Sequence, residues 1–257
     1  MMKRWIASVS FLAASVPLFG AEGIATESTK VESHQPWSAS YLNEVGGPNL
    51  QFKSDSAMNQ YLSLGYSLEN SWKLSFTGVF ESQFKRTDSD SHNQGNHYFK
   101  LAAPSFVQND ILSLTPQMRF YVPTSQTSQN TKSAGIYNPR LSLKSTQGDL
   151  NLEYTLSASI YSYTQKLQVP QTAFTHGHIF TASYNMTDWV SMDMLLYPFW
   201  TYTRNSTEAR YKGLELQPGV SFTVNDQISV STGLNTYAKN MSTKTTSFVG
   251  EVAVKFL

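Results

Sequence analysis

The sequence predicts an all-β chain: a single up-and-down antiparallel transmembrane β-barrel of about twelve strands, with its apolar face turned outward. Three observations carry this. Apolar and polar residues alternate from Pro36 onward with almost no helical period, the mark of half-buried strands. Short turns built on Asn, Asp and Gly recur about every 39 residues. Longer polar stretches fall between them, so short and long connections alternate without a break.

Taken in order, the short turns are 69–71, 108–110, 146–149, 185–188 and 224–226. The longer stretches are 46–57, 85–96, 124–133, 164–173, 204–210 and 240–244, of which RTDSDSHNQGNH is typical. Between them lie segments 36–45, 58–68, 72–84, 97–107, 111–123, 134–145, 150–163, 174–184, 189–203, 211–223, 227–239 and 245–257. A tilted strand needs about 9–11 residues to cross hydrocarbon, whereas soluble strands run about 5–6. A soluble sandwich has no reason to collect its long loops at one end; an even-stranded membrane barrel, with short periplasmic turns and longer extracellular loops, does.

The stretch YSLENSWKLSF shows the pattern. Tyr66 and Leu68, then Trp72, Leu74 and Phe76, share one greasy face across a turn at Glu69–Ser71. Leu112, Leu114, Met118 and Phe120 continue it, as do Leu152, Tyr154, Leu156 and Ile160, and Met192, Met194, Leu196 and Trp200. The opposite face reads Ser113, Thr115, Gln117, Arg119 and Tyr121, too polar for a packed core. In hydrocarbon every backbone polar group must be paired, so such a sheet must close. Aromatics gather near the short-turn ends (Trp72, Tyr184, Trp189, Phe222, Phe256) and the long-loop ends (Tyr41, Phe84, Phe120, Trp200, Tyr202, Tyr237), as membrane interfaces favour. Pro104, Pro116, Pro139, Pro198 and Pro218 fall in or near strands, where local bulges are expected.

Composition narrows the classes further. The chain has 257 residues and no cysteine, which excludes a disulfide framework and thiolate metal sites. A net charge of +1 gives no electrostatic case for nucleic acid. Residues 1–25 read as a signal peptide: Met1–Arg4 form a positive start, residues 5–20 an apolar core, and cleavage follows Ala21 or Ala25. Residues 26–35 read as a flexible periplasmic lead-in, and 36–257 as the barrel.

The C-terminal segment FVGEVAVKFL alternates Phe248, Gly250, Val252, Val254 and Phe256, with Leu257 beyond the final aromatic. It resembles the closing strand of bacterial outer-membrane β-barrel proteins, and the chain resembles a twelve-stranded, porin-like member of that class without matching a named subfamily closely. The resemblance implies an outer-membrane location, export through the signal peptide, outer-membrane lipid around the barrel and assembly by the barrel-assembly machinery.

If the polar face lines a lumen, its charges sort by wall. Lys100, Arg119 and Arg140 form a basic wall on the fourth to sixth strands; Asp193, Glu215 and Glu251 form an acidic wall on the ninth, tenth and twelfth. Lys73, Lys144, Glu153 and Lys255 lie near the periplasmic mouth, Glu81 and Lys85 higher, and Lys212 adds to the basic count. Charged side chains lining a pore build selectivity. The expected function is passive diffusion of small hydrophilic solutes with a mild anion preference and no cofactor, metal or catalysis. Two alternatives stand beside it. One is an outer-membrane hydrolase with Ser162 and His176 or His178 on the barrel exterior, although the phospholipase pattern His-x-Ser-Asn-Gly is absent. The other is a closed barrel acting as an adhesin or surface scaffold. The segment DSDSH at 88–92 fails the calcium-loop pattern and reads as a solvated loop. Solute identity, oligomeric state and any inward-folded loop stay open.

Overall fold

The structure, a computed structural model, describes residues 36–256 apart from 53, 86–90, 110, 168–170 and 205–209. The expected signal peptide, lead-in and most of DSDSH lie outside the described residues. The strands are β1 (Trp37–Asn49), β2 (Ser56–Ser67), β3 (Lys73–Phe84), β4 (Ser91–Gln94), β5 (Tyr98–Ala102), β6 (Val107–Gln108) and β7 (Leu112–Tyr121). They continue as β8 (Ser133–Gln147), β9 (Leu150–Tyr163), β10 (Thr172–Thr187), β11 (Val190–Thr203), β12 (Arg210–Thr223), β13 (Ile228–Tyr237) and β14 (Ser247–Lys255). A short helix, α1 (Gln126–Asn130), sits between β7 and β8.

Each strand pairs antiparallel with its neighbours, and β1 pairs with both β2 and β14, so the sheet closes. Segments β4, β5 and β6 share the position between β3 and β7 and act as one interrupted strand, giving a twelve-stranded barrel. The short connections are tight because side chains stand in for the missing ladder. Asn109 Oδ1 accepts from the N–H groups of Ile111 and Leu112 at 3.0 and 2.7 Å, and Asn225 Oδ1 accepts from Gln227 and Ile228 at 2.9 and 2.8 Å. Gly148, at φ +59°, supplies the left-handed residue of the β8–β9 turn.

The greasy face points away from the barrel axis: Leu64, Phe76, Phe99, Met118, Leu156, Phe180, Met192 and Met194 are all exposed. Aromatic pairs mark both rims. Trp37–Tyr66 and Trp189–Phe222 lie at the short-turn end, with ring centroids 4.7 and 6.4 Å apart; Phe120–Tyr137 and Trp200–Tyr211 lie toward the long loops, at 5.0 and 5.2 Å. Tyr237 departs from the expected belt. It stands opposite Glu215 in register, on the inner face.

The prolines are accommodated in several ways. At Pro104 the strand breaks between β5 and β6, and the gap faces Pro116, whose carbonyl accepts from Ala103 N–H at 3.0 Å. A register shift adjoins Pro198, where Gly213 takes φ +145° and Lys212 has no register partner. Pro139 and Pro218, by contrast, sit in strands that keep register on both sides of them, so no bulge forms there. β1 also runs on to Asn49, beyond the expected end at 45, through a shift around Pro48.

The second interruption, Gly95–His97, is sealed by side chains. His97 Nδ1 accepts from Val79 N–H at 3.0 Å, and Thr124 Oγ1 accepts from His97 N–H at 3.0 Å. The loop carrying α1 is thereby tied to the barrel end. Ser125 caps the helix, its hydroxyl accepting from Ser128 N–H at 3.2 Å, and its own N–H donates to Asn96 Oδ1 at 3.1 Å.

Candidate functional site

The inner face gathers the polar residues that alternation assigns to it. On β5, Lys100 lies between the outward Phe99 and Leu101 and stands opposite Arg119 of β7 in register. Two cations side by side repel, and the surroundings answer this. The Arg119 guanidinium lies 5.2 Å from the centre of the Tyr98 ring, and Arg119 is only 4% exposed. On β8, Arg140 Nε donates to Asn138 Oδ1 at 2.6 Å. Asn138 is itself held by β9, its Nδ2 donating to Ser157 Oγ, Ala158 O and Ser159 Oγ at 3.1, 2.7 and 2.9 Å.

Across the barrel, Asp193 of β11 accepts from Ser221 Oγ at 2.6 Å and from Ser191 Oγ at 3.3 Å. Glu215 of β12 accepts from Gln217 Nε2 and Asn235 Nδ2 at 2.7 and 2.6 Å. Glu251 of β14 stands opposite Glu44 of β1 in register. Glu44, 2% exposed and accepting from Tyr61 Oη at 2.9 Å, belongs to this wall. Strict alternation from Trp37 places it there, within the expected strand 36–45. In the closed ring, β5, β7 and β8 lie across from β12, β13 and β14, which carry Glu215 and Glu251, while Asp193 and Glu44 sit on the flanking strands β11 and β1.

Tyrosines complete the inner face. Tyr197, Glu215 and Tyr237 form one cross-strand row over β11, β12 and β13. Tyr197 stacks on Phe199 at 5.1 Å and lies within electrostatic reach of Arg140, Glu215, Tyr161 and Tyr121. Its ring is seated over Gly177 of β10, where a Cβ would overlap Cε2 of the tyrosine. Leu195 (1% exposed), Ile179 and Val79 are also buried on this face. Side chains on the inner face therefore shield one another from water there. Twelve strands fall between the filled interior of about eight and the wide channel of 16–18.

Other candidates sit apart from this centre. Lys144 and Glu153 form an ion pair of 3.6 Å two residue pairs beyond the Ser142–Thr155 hydroxyl bond. Lys73 and Lys255 lie at the same short-turn end, opposite Ser67 and Ser40. Lys212 is the extra residue of the β12 bulge and is exposed, so alternation no longer assigns it to the lumen. Ser162 and His176 are not neighbours: the register sets His176 beside Ala158, and Ser162 Oγ donates to Gly135 O at 2.9 Å. His92 is bonded to Ser82 Oγ at 2.9 Å. Among the described residues, no group of three or more His, Asp or Glu side chains is placed to hold a metal ion.

A closed, twelve-stranded antiparallel barrel, apolar outside and polar within, is the architecture of outer-membrane β-barrels. The chain shares this fold with an outer membrane channel from Pseudomonas putida F1, at a TM-score of 0.62 and 10% identity over 88% of this chain and 100% of the other. It is similar to the NanC porin (TM-score 0.56, 12% identity, 84% of this chain and 99% of the other) and to the KdgM porin (0.50, 11%, 86% and 99%). No protein-family model matches the sequence, and no curated protein sequence does.

Proposed function

We propose that this protein is an outer-membrane channel for passive diffusion of small hydrophilic solutes, exported by residues 1–25 and embedded in the outer membrane by its apolar face. The reading is supported by the placement of Lys100, Arg119 and Arg140 on β5, β7 and β8, across the closed sheet from Glu215 and Glu251 on β12 and β14, with Asp193 and Glu44 on the flanking strands β11 and β1. Opposed charged walls impose a transverse field on the water between them. Apolar solutes must displace that oriented water, while charged and dipolar solutes travel along the complementary wall. The similar fold of porins and channels supports the same reading.

The selectivity we assign is a mild anion preference set by the basic wall. Its excess is small, because Glu44 adds to the acidic set and alternation no longer assigns Lys212 to the lumen. The aromatic row at Tyr197 and Tyr237 narrows the path and restricts passage to small solutes. Planar-bilayer recordings under a salt gradient test the assignment. Wild type should give discrete steps with a reversal potential on the anion side, and Arg119→Ala with Arg140→Ala should move it toward cations. Absence of steps at any voltage removes the channel reading; an unmoved reversal potential removes the basic wall.

A further inference from the structure

Inside the barrel, one carboxylate is held unlike its neighbours. Glu215 Oε1 accepts two amide N–H groups, from Gln217 Nε2 at 2.7 Å and Asn235 Nδ2 at 2.6 Å. Its other oxygen, Oε2, accepts none among the described residues and is not enclosed, so it reaches the lumen. Nor does Glu215 form an ion pair among the described residues. Asp193 differs: hydroxyls of Ser191 and Ser221 donate to both of its oxygens. Glu44 differs too, being 2% exposed and bonded by Tyr61.

The two amides turn their N–H groups to Glu215 and leave their own oxygens, Gln217 Oε1 and Asn235 Oδ1, buried without a hydrogen bond among the described residues. A buried acceptor with no donor is costly, and a native structure that keeps two of them side by side has a reason. Reversing either amide would set an oxygen against the carboxylate, so Glu215 dictates their orientation. The neighbourhood therefore holds more acceptors than donors, around an uncompensated negative charge. It lacks a donor that carries positive charge.

Glu215 also stands between two tyrosines in one cross-strand row, Tyr197 on β11 and Tyr237 on β13. Side chains paired in this way have Cβ atoms about 4.5–5.5 Å apart. Each ring lies over a glycine of a neighbouring strand. Tyr197 covers Gly177, and Tyr237 covers Gly213, where a Cβ would come 3.3 Å from the ring's Cδ1. No side chain at either glycine props the ring away from the wall. Neither phenol oxygen has a hydrogen-bond partner among the described residues. Tyrosine faces attract cations within about 6 Å, an attraction that grows as water is excluded.

We propose that Tyr197, Glu215 and Tyr237 form a lumen subsite for a primary alkylammonium group. One N–H of the ligand donates to Glu215 Oε2, and the two phenols flank the cation. A hydroxyl could also donate to Oε2, but it leaves the charge uncompensated and gains nothing from the rings. The solutes this subsite retains are small molecules that carry an amino group. The inference rests on the channel reading only in that a solute must reach the lumen.

Saturation-transfer NMR of the purified barrel in detergent, titrated with ethylammonium chloride, tests this. Wild type should give a saturable signal, and ethanol, a neutral molecule of similar size, should not. Glu215→Gln should weaken binding about tenfold. Tyr237→Leu, which keeps the carboxylate, should weaken it about threefold. Glu69→Gln removes the same charge at an exposed turn and should leave binding unchanged. Tetramethylammonium, which has the charge but no N–H, should bind more weakly than ethylammonium. The proposal is overturned by equal affinity of wild type and both subsite variants, by the absence of saturable binding, or by tighter binding of tetramethylammonium. Bilayer recordings keep the two readings apart. Saturable binding without conductance steps removes the channel and keeps the subsite; steps with binding indifferent to Glu215→Gln remove the subsite and keep the channel.

Discussion

The side-chain amide of Asn138 donates to the carbonyl of Ala158 at 2.7 Å, at the height where Pro139 has no N–H to offer β9. Main-chain ladder and side chain exchange roles here, and the strand keeps register across a proline. The same amide bonds Ser157 and Ser159, and its oxygen accepts from Arg140. Asn138→Ala therefore removes the side-chain donor to the Ala158 carbonyl and one hydrogen-bond acceptor of Arg140. We expect a loss of about 1–3 kcal/mol in urea unfolding from lipid vesicles. A midpoint and slope equal to wild type would show that water serves Ala158 equally well.

Tyr197 rests its ring on Gly177, and a β-carbon there would occupy the ring's position. Tyr197→Ala should widen the lumen and raise single-channel conductance. Gly177→Val should lift the ring off its seat, lower conductance and cost about 1–3 kcal/mol through overpacking. If Tyr197→Ala leaves conductance unchanged, the constriction lies elsewhere.

Leu156 lies toward mid-depth on the outer face, while Met186 lies by the short turn; both are exposed. Lysine on a lipid face costs about 2–4 kcal/mol at the midplane and about 0–1 near an interface. Leu156→Lys should accordingly destabilise the folded barrel by several-fold more than Met186→Lys, measured by equilibrium unfolding from vesicles. Equal costs would indicate that hydrocarbon does not surround these strands.

The Lys144–Glu153 pair, 3.6 Å apart with side chains 38% and 28% exposed, sits near the periplasmic mouth. Screened pairs of this kind contribute about 0–1 kcal/mol. Lys144→Ala should shift the unfolding midpoint little, and 0.5 M salt should remove most of that shift. A larger, salt-resistant loss would mean the pair is shielded from water.

Strand positions and the outward face were legible because a period of two, sustained over long segments, has one physical meaning once a sheet must close. What alternation cannot report is which residues meet across the lumen. Leu195, Ile179 and Val79 stand on the inner face among polar neighbours, and nothing in their own segments marks them as packed. Pro139 illustrates a second limit. Its sequence signal is a lost donor, and only the fold shows that Asn138 replaces it. Lys212 shows a third: a bulge at Gly213 resets the alternation, so counting from either end gives different faces. Glu44 and Tyr237 were readable from strict alternation, but each lies near a strand end, where boundaries are least certain.

The central claim is that lipid lies against one face of each strand and the lumen against the other. The chain has no cysteine, so single substitutions from Ser191→Cys to Leu196→Cys along β11 can each carry one nitroxide label in a reconstituted bilayer. The account predicts that labels at Met192, Met194 and Leu196 are relaxed strongly by dissolved oxygen, while those at Ser191, Asp193 and Leu195 are not. Strong relaxation of the Met192, Met194 and Leu196 labels by a water-soluble nickel complex, with no two-residue period, would contradict it.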